Sequence, residues 1–135
     1  MLAQRQPHSS GPAAAPRVRG VTVIGSLPPV KGVSAYTAGL LDALDRRGDL
    51  QVDFVGFRSI YPRWFYPGGD PDEPSARPPL FLGVKLRSAL RWYNPLSWAW
   101  AGLRMRGQVV HAQWWSYALA PVYTTLLGIA RLRGK

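Results

Sequence analysis

At 135 residues the chain is long enough for one domain with a hydrophobic core, and 47% hydrophobic residues exclude a wholly disordered protein. It contains no cysteine, which excludes a disulfide framework and a thiolate metal site. The net charge of +10 is uneven: residues 1–20 hold three arginines and no acid, 21–75 hold five basic and seven acidic residues, and 76–135 hold nine basic and none acidic. A one-sided basic half implies an anionic partner, such as a phospholipid surface, a polyphosphate substrate or nucleic acid; its bland alternative is a solvated face.

In chain order, residues 1–17 read as a disordered leader rich in Gln, Ser, Pro and Ala, with no apolar run suited to secretion. Residues 18–135 read as one α/β domain. Val21 to Ile24 is a short β-branched run ending at Gly25, the composition of a strand covered on both faces. Pro28 and Pro29 break regular structure, and Gly32 opens a helix with an apolar face of Val33, Tyr36, Leu40, Leu41 and Leu44. The helix closes near Arg46-Arg47-Gly48, with cations in its last turn and glycine beyond. In an open α/β sheet, ligands sit beyond the carboxyl ends of the strands, here over Ser26 to Gly32. The unpaired N–H groups at the helix start make that end an anion site in kind, although neither G-x-G-x-x-G nor a Walker loop is present.

Leu50 to Phe57 alternates and predicts a second parallel strand, joined to the first by a right-handed crossover. Arg58 to Pro79 is read as irregular, with six prolines, the aromatics Tyr61, Trp64, Phe65 and Tyr66, and the acids Asp70, Asp72 and Glu73. It is either a lid or an aromatic clasp on the sheet. Nothing in the sequence fixes those carboxylates in a metal-binding geometry, and no metal is assigned. Leu80 to Tyr93 predicts a short helix placing Arg87 and Arg91 one turn apart. Asn94-Pro95 then caps a helix running to about Arg106, whose Trp98 and Trp100 suit either a core or a membrane interface.

Gln108 to Gln113 predicts the third strand, and Ser116 begins the last helix, with Pro121 in its first turn. The uncharged run from Ala112 to Ala130 spans 19 residues, close to a bilayer's thickness, but is interrupted by Trp114-Trp115, Pro121 and two threonines. A buried helix of the α/β layer fits it better.

Two stretches resemble family 4 (group 1) glycosyltransferases. Gly25-Ser-Leu-Pro-Pro-Val-Lys-Gly-Val-Ser-Ala-Tyr36, with Leu40 and Ala43-Leu44, resembles the family's opening strand, glycine loop and helix. Lys31 stands where the first glycine of the loop is common, while Gly32 keeps the second. Val109-Val110-His111-Ala112-Gln113-Trp114-Trp115 resembles the later strand on the acceptor side. The resemblance implies a GT-B architecture, of which this chain holds part of the N-terminal, Rossmann-like, acceptor-side domain: an open parallel sheet with flanking helices, incomplete. It implies a retaining hexosyltransferase that moves a sugar from a nucleotide-sugar to an acceptor hydroxyl, with the nucleotide-sugar a co-substrate and no cofactor.

By the same resemblance Lys31, Gly32 and Val33 form the donor-phosphate loop, and Tyr36, His111, Gln113 and Trp114 line the acceptor cleft. No catalytic residue is assigned, because the family's usual catalytic histidine follows in a later strand. The donor-binding domain is expected on a further stretch of chain or on a separate partner chain, without which this part is inactive. The charge asymmetry, apart from the resemblance, favours a glycan or lipid-linked acceptor at an anionic membrane surface, with the protein expected to be cytoplasmic and peripheral at the inner face of the plasma membrane. The alternatives are a subunit of a split enzyme and a non-catalytic basic α/β binding module. A nucleic-acid partner ranks lower, since no RNA- or DNA-binding signature occurs.

Overall fold

A computed structural model describes residues 19–28, 30, 33–60 and 79–135. The leader, Pro29, Lys31, Gly32 and the stretch 61–78 lie outside the described residues, and with them the expectations placed there.

Four strands form one open, all-parallel sheet: β1 (Gly20–Gly25), β2 (Gln51–Ser59), β3 (Val84–Arg91) and β4 (Val109–Ala112). Their spatial order is β3-β2-β1-β4, so the chain winds outward from β1 to β3 and then crosses to the opposite side. The helix α1 (Ser34–Arg47) packs on one face of the sheet. The helices α2 (Pro95–Leu103) and α3 (Ala120–Leu132) pack against each other on the second face. This is a Rossmann-like α/β arrangement.

Each face has its own core. Toward α1, Val23, Val52, Phe54 and Val84 meet Leu41. Toward α2 and α3, Ile24, Val55 and Leu90 meet Ala101, Met105, Leu119, Val122, Tyr123 and Leu126. Burial on both sides explains why β1 reads as a continuous apolar run.

Local chemistry sets most helix ends. Asn94 Oδ1 accepts hydrogen bonds from Leu96 N at 3.0 Å and Ser97 N at 3.3 Å, and Pro95 occupies the first turn of α2. Gly48 closes α1 in the left-handed region at φ 66°, where a side chain would be strained. The last helix begins later than Ser116: the Ser116 side chain caps a 3-10 turn, Tyr117–Leu119, and α3 follows. The uncharged run is thus divided between a strand end, this turn and α3, and no helix among the described residues is long and apolar enough to cross a membrane.

One element departs from expectation. Leu80 to Tyr93 does not form a helix; Val84–Arg91 is the strand β3, paired in parallel with β2. Its residues fit both periods, since Val84, Leu86 and Ser88 alternate as readily as Leu86, Ala89, Leu90 and Tyr93 follow a helix. The exposed edge of β2 decides between them. The ladder pairs Gly56 with Ser88 and then Phe57 with Leu90, so Ala89 is an extra residue. That bulge turns Leu90 to the α2–α3 core, opposite to Val84. The second strand also extends past Phe57, taking Arg58 and Ser59 from the segment read as irregular.

Beneath α2, a buried ion pair ties β2 to β3. The Arg87 guanidinium holds the Asp53 carboxylate in two hydrogen bonds, one of 3.0 Å from Nε to Oδ1. Arg87 also donates to Arg104 O at 3.1 Å, and Gly107 N donates to Thr22 Oγ1 at 2.9 Å. These contacts seat the α2–β4 connection directly on β1. Only glycine fits at 107, because a Cβ there would lie 2.3 Å from Thr22 N.

Candidate functional site

The order β3-β2-β1-β4 reverses direction between β1 and β4, and the carboxyl ends of the strands at such a switch point are where ligands bind in open α/β sheets. Gly25, Ser26 and Leu27 leave β1 there, Gln113 and Trp114 leave β4, and α1 starts above them. The first turn of α1 packs so closely on the end of β1 that a Cβ on Gly25 would lie 3.2 Å from Thr37 Oγ1. Small residues therefore fill the interface.

Gln113 is held from three directions. Its N–H donates to Ile24 O at 3.1 Å, extending the β1–β4 ladder by one residue. Its side-chain Oε1 accepts a hydrogen bond from the Thr37 hydroxyl on α1. Its carbonyl accepts from Tyr123 Oη at 2.7 Å, which comes from α3 on the far face. Both helical layers thus converge on one residue at the switch point.

Beside it, Ser26 is 3% exposed and its hydroxyl has no hydrogen-bond partner among the described residues. An unsatisfied buried hydroxyl costs about 1–3 kcal/mol. Ser26 lies on the wall of a cavity of about 240 Å³ that also meets Pro28, Val30, Phe54, Gly56 and Ser88. No acid stands in the first turn of α1, and its N-cap residue Val33 provides no side-chain cap. The Ser26 hydroxyl and the helix-start N–H groups are therefore suited to polar or anionic ligand atoms.

The predicted site residues separate into groups. Val33 is the N-cap of α1, and its carbonyl accepts from Thr37 N at 3.1 Å. Lys31 and Gly32 lie outside the described residues. Gln113 sits at the switch point, bonded to Ile24, Thr37 and Tyr123. Trp114 is partly exposed beside it, with its ring 5.4 Å from the Tyr123 ring and 6.5 Å from Tyr117. His111 is half-buried, in register with Val23, one pleat back from Gln113 on the same face. Tyr36 is 58% exposed on α1 and does not join the group around Gln113.

The buried face of α1 near the switch point is Ser34 and Thr37, in place of the Val33 and Tyr36 expected from periodicity. Close approach to Gly25 favours small side chains there. Thr37 and Tyr123 are the residues that sequence reasoning missed, whereas Ser26 begins the loop over which the sequence placed a ligand. Thr37 had a signal, since it falls on the stripe 37, 41, 44, but a polar residue is invisible to an apolar count.

A larger cavity, of about 330 Å³, opens at the amino ends of β1–β3 beside Gly20, Asp53, Lys85 and Arg106. The Asp53 carboxylate there is taken up by Arg87, so this end of the sheet reads as structural. No group of three or more potential metal ligands occurs among the described residues. Compared with protein-family models, curated proteins and solved structures, the chain matches none.

Proposed function

We propose that this chain is the N-terminal, acceptor-side portion of a GT-B retaining glycosyltransferase. The observation that carries the reading is the hydrogen bond between Thr37 and Gln113. It joins the two stretches that resemble family 4 glycosyltransferases, at a topological switch point where ligands bind in open α/β sheets.

In this reading the start of α1 and the loop containing Lys31, Gly32 and Val33 face the donor phosphates. Backbone N–H groups there offset the charge that develops on the leaving phosphate. Ser26 donates or accepts a hydrogen bond at the cavity wall, and the exposed ring of Trp114 faces the acceptor. Gln113 is a positioning residue that keeps both helical layers in place at the switch point. The acceptor is a glycan or a lipid-linked sugar. The donor-binding domain lies elsewhere, on the same chain or on a partner.

The test uses protein isolated from its native host, with its intact mass measured first. A species near 14.9 kDa would point to a partner chain, and a heavier one to a second domain in the same polypeptide. That protein is then incubated with uridine, guanosine and adenosine diphosphate sugars and with extracted glycans and lipids. Acceptor-dependent release of nucleoside diphosphate, lost in Gly32→Leu with an unchanged circular dichroism spectrum, is the expected result. Absence of release with every donor, or full release by the variant, would overturn the reading.

A further inference from the structure

The second face of the molecule carries an apolar stripe unrelated to the switch point. On α2, Trp98, Ala101 and Gly102 turn inward, and the Trp98 Nε1–H donates to Arg91 O at 2.7 Å. Leu96, Trp100 and Leu103 recur on the opposite side and are 79%, 46% and 60% exposed. Tyr93, just before the helix, is exposed as well. One turn of solvated leucine is ordinary; a large apolar stripe along a whole helix marks an interaction surface.

The surroundings of this stripe are cationic. The Arg104 guanidinium stacks 4.2 Å above the Trp100 ring. Between α2 and the sheet runs an open groove of about 420 Å³, lined by Arg58, Arg91, Asn94, Leu96, Ser97 and Trp100. Among the described residues, Arg58, Arg91 and Arg104 have no carboxylate partner. Every described carboxylate, namely Asp42, Asp45, Asp49 and Asp53, lies on α1, on β2 or between them, and each is engaged by an arginine or by backbone N–H groups. No acid occurs anywhere from residue 76 to 135.

We propose that the exposed face of α2, with Arg58, Arg91 and Arg104 around it, docks on an anionic phospholipid surface. Leu96 and Leu103 enter the boundary between headgroups and acyl chains, Trp100 lies at headgroup depth, and the arginines contact lipid phosphates while their stems cover apolar surface. Charge complementarity selects this occupant: an apolar stripe alone suits a protein partner, and arginines alone suit nucleic acid. Aliphatic Leu96 and Leu103 offer no stacking surface for bases, and the unpaired arginines disfavour a second copy of the same cationic face. The proposal stands on this face and is independent of the transferase reading, since its test involves no sugar transfer.

The experiment measures sedimentation of the full chain with vesicles of phosphatidylcholine and of phosphatidylglycerol. Binding to phosphatidylglycerol is expected, weakened at least about tenfold by Leu96→Asp with Leu103→Asp. Arg58→Gln with Arg104→Gln should remove the preference for the anionic vesicle. Because the chain has no cysteine, Trp100→Cys carries a single environment-sensitive fluorophore, whose emission should shift to the blue on phosphatidylglycerol vesicles. Four results would overturn the proposal: no vesicle binding, binding unaffected by the two aspartates, a label that stays in water, or the aspartates dissolving a dimer while vesicle binding persists. Salt-sensitive oligonucleotide binding without vesicle binding would assign the face to nucleic acid instead.

Discussion

Thr37 on α1 and Gln113 beyond β4 lie 76 residues apart and share one partly buried hydrogen bond at the reversal point of the sheet. Thr37→Val takes the donor from Gln113 Oε1 and should destabilise by about 1–3 kcal/mol, whereas Gln113→Leu leaves the Thr37 hydroxyl with Val33 O as a second acceptor at 3.3 Å and should cost less. The double variant Thr37→Val/Gln113→Leu should cost less than the two singles combined, because no orphaned group remains. Urea unfolding of the four proteins measures the coupling; strict additivity would mean that the bond contributes nothing.

The ion pair of Asp53 and Arg87 is the other long-range polar tie. Both side chains are largely buried. Asp53→Asn leaves a guanidinium without its counter-charge and should cost about 3–5 kcal/mol. Replacing both residues with apolar ones of similar volume should recover most of that loss, as measured by thermal unfolding.

Glycines test the packing most directly. Gly107→Ala forces backbone against backbone at β1 and should destabilise by at least about 2 kcal/mol. Gly128 lies within α3, where an added Cβ meets nothing within 4 Å. Gly128→Ala should therefore stabilise, by about 1 kcal/mol, through helix propensity alone. A Gly107→Ala protein with unchanged melting temperature would refute the close approach of the α2–β4 connection.

At the exposed end of α1, hydrogen bonds from the Arg47 guanidinium hold the Asp49 carboxyl below its ordinary range. A depressed folded-state value stabilises above the unfolded value, and that contribution is lost as pH falls through the folded value. Asp49→Asn should thus flatten the acid arm of the stability–pH curve slightly, and added salt should shrink the difference. Carboxyl chemical shifts followed through an acid titration would show the depression vanish in Arg47→Gln.

The sequence by itself determined β1, α1, β2, α2 and β4, because their signals are local. A β-branched run, an Asn-Pro cap and a left-handed glycine act within a few residues, so Val21–Ile24, Asn94-Pro95 and Gly48 could be read directly. Gln113 and Trp114 were legible as a strand end. Tertiary structure alone decided β3, whose residues satisfy two periods and adopt the one that pairs with the open edge of β2. It also decided which tryptophan is core: Trp98 turns inward because its indole N–H reaches Arg91 O, while Trp100 is left outside under Arg104. The partners of Gln113 were hidden for the same reason. Thr37, Tyr123 and Ile24 are brought to it by strand order, and strand order is a property of the whole sheet that no local pattern encodes.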